Sequence, residues 1–313
     1  MDKEESPIFV VGMPRSGTTL ISAMLTSHPN IAISPETHFL SEWIRRYRRL
    51  DVRREKDFNK FWGRFGDSSF FRNLQLDAET VRNQILSSGD HDYKDIFSTI
   101  LKLYAEKKNK RRWGEKTPTH YAHIHQLLEW HPESRIVYMV RDPRAVVASR
   151  LDMSEKYPLS WWHPRTVEDI SFQWRNSINI LNYWANDNRI YPIIYEKLIQ
   201  DTLSELRRLC GFIGEEYSLS MLSYTEVAKD LVANDPWKES VFKPIIADSI
   251  DKWRLKLLTD EISTIEYVSR KGMNQFMYQM VGKPHGFFKK FRLNIANTIR
   301  IVKMKLIKRT SLL

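Results

Sequence analysis

Cysteine is almost absent, and so is any stretch able to cross a membrane. The 313 residues hold one cysteine, Cys210, which excludes an internal disulfide and leaves no cysteine set for zinc. No apolar run approaches the roughly 18 to 20 residues needed to span a bilayer. The opening residues, MDKEESPIFVV, place acids where a signal peptide carries bases. These gaps together give the expectation of a cytoplasmic protein. Acid is the third absence: beyond Glu266 there is no Asp or Glu, but there are eleven basic residues, Arg270 through Arg309. Setting those eleven aside from the 49 Lys and Arg leaves 38, equal to the 38 Asp and Glu, so the excess of +11 sits wholly beyond Glu266. A high isoelectric point therefore says little about the active site.

What is present reads as one α/β domain over 1–283 followed by a basic amphipathic tail, 284–313. Residues 7–11 are expected as a first strand, 17–27 as a helix, and NIAISPET as a short strand ending at Glu36. Residues 41–110 read as helical. SRIVYMV (134–140) and RIYPIIYE (189–196) are further strands, and KLIQDTLSELRRLCGFIG is a helix closed by Gly211 or Gly214. Strands alternating with helices predict a parallel sheet with sites at the strands' carboxyl ends. In the tail, Phe288, Phe291, Ile295, Ile299, Val302 and Leu306 form one helical stripe flanked by Lys and Arg. Such a helix suits either a membrane surface, through 287–309, or docking on the protein's own core or a second copy. Its aromatics cluster at the start and do not interleave with the bases, which argues against nucleic acid.

A further absence lies in the segment PIFVVGMPRSGTTLISAML. Its loop fits the phosphate-binding pattern at Gly12, Gly17 and Thr19, but Thr18 stands where a nucleotide triphosphatase carries lysine. Backbone N–H groups of a glycine-rich turn at a helix N-terminus surround an anion. Here they are joined by the hydroxyls of Ser16, Thr18 and Thr19 and by one cation within the loop, Arg15. Two other segments carry anion-binding chemistry. VRDPRAVVAS sets Arg141 at a strand end with Ser149 over the helix that follows, and RRWGEKTPTHY places Lys116 between a glycine and a proline, in what reads as a loop.

Taken together, these segments resemble the sulfotransferases that use 3′-phosphoadenosine 5′-phosphosulfate (PAPS), most closely the tyrosylprotein sulfotransferases and their bacterial relatives. The resemblance covers about 7–40 and 112–255. It implies a P-loop-type three-layer fold with a central parallel sheet flanked by helices. PRSGTT is similar to the family's 5′-phosphosulfate loop, assigning Arg15, Ser16, Gly17, Thr18 and Thr19 to the cofactor. RIVYMVRDPRAVVAS is similar to its 3′-phosphate motif, assigning Arg141 and Ser149. IIYEKL nominates Tyr195 beside the nucleotide, and KPIIADSIDKW nominates Ser249. Glu36 stands 21 residues after Arg15, as the family's catalytic carboxylate does. A donor with one sulfated 5′-phosphate and a separate 3′-phosphate needs neither the bridging lysine nor a metal.

Sulfuryl transfer resembles phosphoryl transfer in its loose, in-line transition state, so positioning and electrostatics dominate. The resemblance implies Arg15 and Lys116 on the sulfuryl and leaving oxygens, and Glu36 as the base for an acceptor hydroxyl, with His38 and His120 as alternative bases. Trp161 and Trp162, and more weakly Trp237, are candidates for a lid over the acceptor. The acceptor stays open among a peptide tyrosine, a carbohydrate and a lipid-linked sugar. Two other classes stand beside this one: a P-loop nucleotide kinase, disfavoured by Thr18, and a non-catalytic nucleotide-binding membrane adaptor resting on the tail.

Overall fold

The computed structural model describes residues 6–89, 91–157, 165–232 and 250–311. Trp161, Trp162, Trp237 and Ser249 lie outside the described residues. Packing divides the chain into two units, one of Met1–Val140 with Ile180–Ala247, the other of Arg141–Asn179 with Asp248–Leu313.

The first unit is built on five parallel strands: β1 (Ile8–Gly12), β2 (Ile31–Ser34), β3 (Arg112–Lys116), β4 (Arg135–Val140) and β5 (Ile190–Ile194), in the order β2-β3-β1-β4-β5. Continuous apolar runs make β1 and β4, as expected for strands covered on both faces. Pro192 is tolerated in β5 because that strand lies at the sheet's edge. The helices used below are α1 (Thr18–Thr26), α2 (Glu55–Phe65), α3 (Tyr93–Lys107), α4 (Pro143–Lys156), α5 (Val167–Tyr183), α6 (Thr202–Ile213), α7 (Thr259–Gln275) and α8 (Phe287–Ser311).

One strand departs from expectation. Lys116 ends β3, whereas the sequence pattern puts it in a loop. The segment RWGEK has no apolar alternation, yet all five residues are buried because they thread between β1 and β2. Gly114 pairs with Ile8, and a Cβ there would lie 2.0 Å from the Ile8 carbonyl oxygen. Only glycine admits that approach. The helix expected from Lys197 onward is also interrupted: it breaks at Asp201, whose side chain accepts from Ser204 N–H at 3.1 Å and so caps α6, which ends at Gly214.

Aromatic residues of 41–110 fill the core. Phe58, Phe61 and Phe65 of α2 are fully buried, and Phe39 stacks on Phe97 of α3 with ring centres 5.1 Å apart. Phe97 stacks in turn on Phe9 of β1 at 6.1 Å. This places a rigid aromatic block behind the chain that leaves β2.

In the second unit α4 packs on α7. Asp142 caps α4, accepting from Arg144 N–H at 2.8 Å, and the buried Arg144 guanidinium joins Asp142, Glu266 and the Gln279 carbonyl. Trp253 lies over that guanidinium at 4.1 Å. Helix α8 belongs to this unit, where the sequence pattern sets 284–313 apart: Leu293 is buried with Phe172 and Val268.

Candidate active site

The loop between β1 and α1 has two residues with left-handed backbone, Arg15 (φ 78°) and Gly17 (φ 92°). Such strain in a non-glycine residue is held only where the surroundings over-determine it. Tyr195, the first residue after β5, lies against the turn: a Cβ on Gly17 would come within 2.5 Å of its ring. The sequence-assigned Tyr195 and phosphate loop are therefore in contact. Ser16 is fully buried, and its hydroxyl has no hydrogen-bond partner. An orphaned buried hydroxyl in an anion-type loop fits a ligand oxygen.

The chain leaving β2 brings Glu36 to Lys116 at the end of the neighbouring strand. Lys116 Nζ donates to Glu36 Oε1, and the two side chains are 3% and 18% exposed. Glu36 Oε2 lies 3.1 Å from His38 Nε2. A carboxylate only accepts, so that ring nitrogen carries the hydrogen and His38 serves Glu36 as a donor. The Phe70 ring covers His38 at 4.8 Å. Glu42, 3.6 Å from His38 Nδ1, is pushed up by burial, an effect His38 and the arginines at 45 and 46 only partly offset.

Behind this pair lies a residue the sequence pattern did not single out. Glu115 is 1% exposed and accepts from the Thr37 N–H at 3.2 Å, from the Thr37 hydroxyl, and from the Thr117 hydroxyl at 2.7 Å. Its other oxygen is 2.8 Å from His120 Nδ1. His120 Nε2 in turn accepts from Leu40 N–H at 3.2 Å, which fixes the proton on Nδ1. Burial pushes the Glu115 carboxyl up, but His120, Thr37 and Thr117 outweigh it and hold the group below the usual carboxylate range. His120 is thus held beside Glu115 through Nδ1 and by Leu40 N–H at Nε2, and at 1% exposed it is unlike a base facing an acceptor. No local pattern marks Glu115: in sequence it is only the neighbour of Lys116, as Thr37 is of Glu36.

Arg141 and Ser149 belong to the second unit. Along 141–150 these two alone are not buried. The Arg141 carbonyl accepts from Trp174 Nε1 at 2.9 Å, tying the turn to α5.

A family model described as "Sulfotransferase family" matches residues 7–218. The chain belongs to the sulfotransferase family. It is accordingly an enzyme, and the kinase and adaptor alternatives give way. Among relatives of this sulfotransferase, protein-tyrosine sulfotransferase 2 of Gallus gallus is 24% identical over 310 residues, covering 96% of this chain and 77% of that one. Protein-tyrosine sulfotransferase 1 of Homo sapiens is 23% identical, with the same coverage of 96% and 77%. In fold, the chain is similar to the sulfotransferase domain of the Synechococcus PCC 7002 olefin synthase, with TM-score 0.61, 23% identity, and 88% and 97% of the two chains covered. The sulfotransferase domain from the curacin biosynthetic pathway gives TM-score 0.62 at 21% identity, covering 88% and 99%. The P-loop-type α/β fold expected from the sequence is the one observed. None of these relatives adds support to a cytoplasmic compartment, and no helix among the described residues is long and apolar enough to cross a membrane.

Proposed function

We propose that this sulfotransferase moves the sulfuryl group of PAPS to a hydroxyl, first among candidates a tyrosyl phenol, and releases adenosine 3′,5′-bisphosphate. The observation that carries the reading is the Lys116–Glu36 pair, a cation and a carboxylate at the ends of adjoining segments in the unit that holds the phosphate loop. In this reading Arg15, Ser16, Gly17, Thr18 and Thr19 hold the 5′-phosphosulfate, and Tyr195 packs by the nucleotide. Arg141 and Ser149 take the 3′-phosphate, and Ser249 contributes late in the chain. No metal is needed.

Transfer then balances simply. Glu36 accepts the proton as the acceptor oxygen bonds to sulfur, while the bond from sulfur to the phosphate oxygen breaks and its electron pair stays on the leaving bisphosphate. Lys116 and Arg15 stabilise charge on the sulfuryl and leaving oxygens. His38, donating to Glu36, orients the base. The tyrosyl acceptor is favoured by the relatives named as protein-tyrosine sulfotransferases and by the spacing of Glu36 from Arg15; carbohydrate and lipid-linked sugar are the other candidates.

Calorimetric titration with adenosine 3′,5′-bisphosphate, beside ATP with magnesium, tests the cofactor. Metal-independent binding that weakens about tenfold or more in Arg141→Ala is expected. Preference for magnesium ATP, indifferent to Arg141, would overturn the reading. Transfer of ³⁵S from labelled PAPS to tyrosyl peptides against oligosaccharides then decides the acceptor.

A further inference from the structure

Helix α8 has two faces with opposite fates. One docks within its own unit: Leu293 is 5% exposed against Phe172 and Val268, and Arg300 reaches Asp169 and lies over Phe172 at 4.6 Å. Asn297 accepts from Arg175, Asn294 accepts from the Tyr267 hydroxyl at 3.3 Å, and Lys289 pairs with Asp260. At 100° per residue, those positions centre on one side. Phe287, Phe288, Phe291, Ile295 and Ile299 centre on the other, and they are 76%, 84%, 56%, 45% and 49% exposed. The stripe seen in the sequence is therefore not the face that meets the protein. Its reverse is.

We propose that this outward face lies on an anionic lipid surface. Five large apolar side chains turned to solvent on one helix make a patch that water does not favour. What should cover it follows from charge. From 267 to 313 there are eleven Lys and Arg and no Asp or Glu. A second copy packed on this face would bring two such cationic segments together, whereas anionic headgroups complement them, each base near the surface adding to the attraction. On the described part of the helix, Arg292 is exposed at the edge of the Phe face and Lys290 is half-buried on the flank nearer the docked side. At 25 residues, α8 spans roughly 37 Å lying flat, and its charge bars it from the hydrocarbon interior. The phenylalanines would enter the headgroup boundary while the bases remain at the phosphates. The inference is independent of the acceptor's identity.

The full chain is mixed with phosphatidylcholine vesicles, with and without phosphatidylglycerol, and bound protein is measured by flotation. Binding to the phosphatidylglycerol vesicles that weakens as salt rises is expected. The paired substitution Phe288→Asp and Phe291→Asp should weaken it about tenfold or more, with the melting temperature unchanged because both side chains point to solvent. Lys290→Glu with Arg292→Glu should weaken it independently. The proposal is overturned if wild type ignores the anionic vesicles, or if the charge variant loses binding while the Phe pair retains it. It is equally overturned if sedimentation shows a dimer that the Phe pair dissociates, which would put a second copy on this face.

Discussion

Glu115 and His120 meet at 2.8 Å behind the Lys116–Glu36 pair. Through Thr37 the carboxylate holds the segment carrying Glu36, and through Thr117 the segment carrying Lys116. One buried group thereby sets the spacing of a proposed base and a proposed electrophilic cation. Glu115→Gln would turn an amide donor towards either His120 Nδ1–H or the two threonines, and a changed His120 tautomer would strip Leu40 N–H of its acceptor. The expected result is a kcat lowered about tenfold to a hundredfold, with KM for PAPS and affinity for adenosine 3′,5′-bisphosphate little changed. Equal loss of both would show a merely structural role.

Glu36→Gln should lower kcat about 10² to 10⁴-fold, and Lys116→Ala about 10² to 10³-fold. Because the two are paired in the resting enzyme, their effects should not add: the double variant should lose less than the product of the single losses. Single-turnover transfer rates measure this directly.

Gly17→Ala should abolish tight bisphosphate binding. Its backbone has φ 92°, and the added Cβ would lie 2.5 Å from the Tyr195 ring. Strain of this kind costs about 1 to 3 kcal/mol, or about tenfold or more in affinity. Adding Tyr195→Ala removes the clash but not the φ penalty, so titration of the double variant should show at most partial recovery.

Arg144→Met should unfold the second unit's hub. The guanidinium is 4% exposed between Asp142 and Glu266, themselves 7% and 5% exposed. Removing one partner of a buried pair costs about 3 to 5 kcal/mol. Denaturant melts should shift accordingly, and adding Glu266→Gln should restore part of the loss, since the amide oxygen still accepts from the N–H groups of Val281 and Gly282.

Acid should destabilise the fold in a defined window. Burial pushes His131 down to about 4, with Lys94 and Lys102 acting in the same direction, against an ordinary value of 6.5. The unfolded chain then binds more protons between those values, so stability present above about 6.5 is lost as pH falls towards 4, on the order of 3 kcal/mol. Glu115, also held below its ordinary value, loses its contribution as pH falls through its folded value. Melting temperature against pH should slope less steeply over that window in His131→Gln than in wild type.

The apolar runs of β1 and β4, the loop 12–19 and the Arg141 turn were legible in the sequence because each is a local pattern: strand, tight turn, helix start. Strand β3 was not, since its burial comes from its neighbours on both sides and not from its own residues, and Lys116 moved with it from a loop to a strand end. Glu115 was invisible for the same reason: four partners at three places in the chain make it a bracket, and no spacing announces them. In the tail, periodicity located the apolar stripe, but which face docks depended on Leu293, Asn297 and Arg300 finding α5 and α7. Local sequence set the elements and the glycine turn between β1 and α1, because backbone geometry and hydrophobic period act over a few residues. Only the tertiary structure decided which polar groups meet, because buried charges are stable solely where distant segments supply their partners.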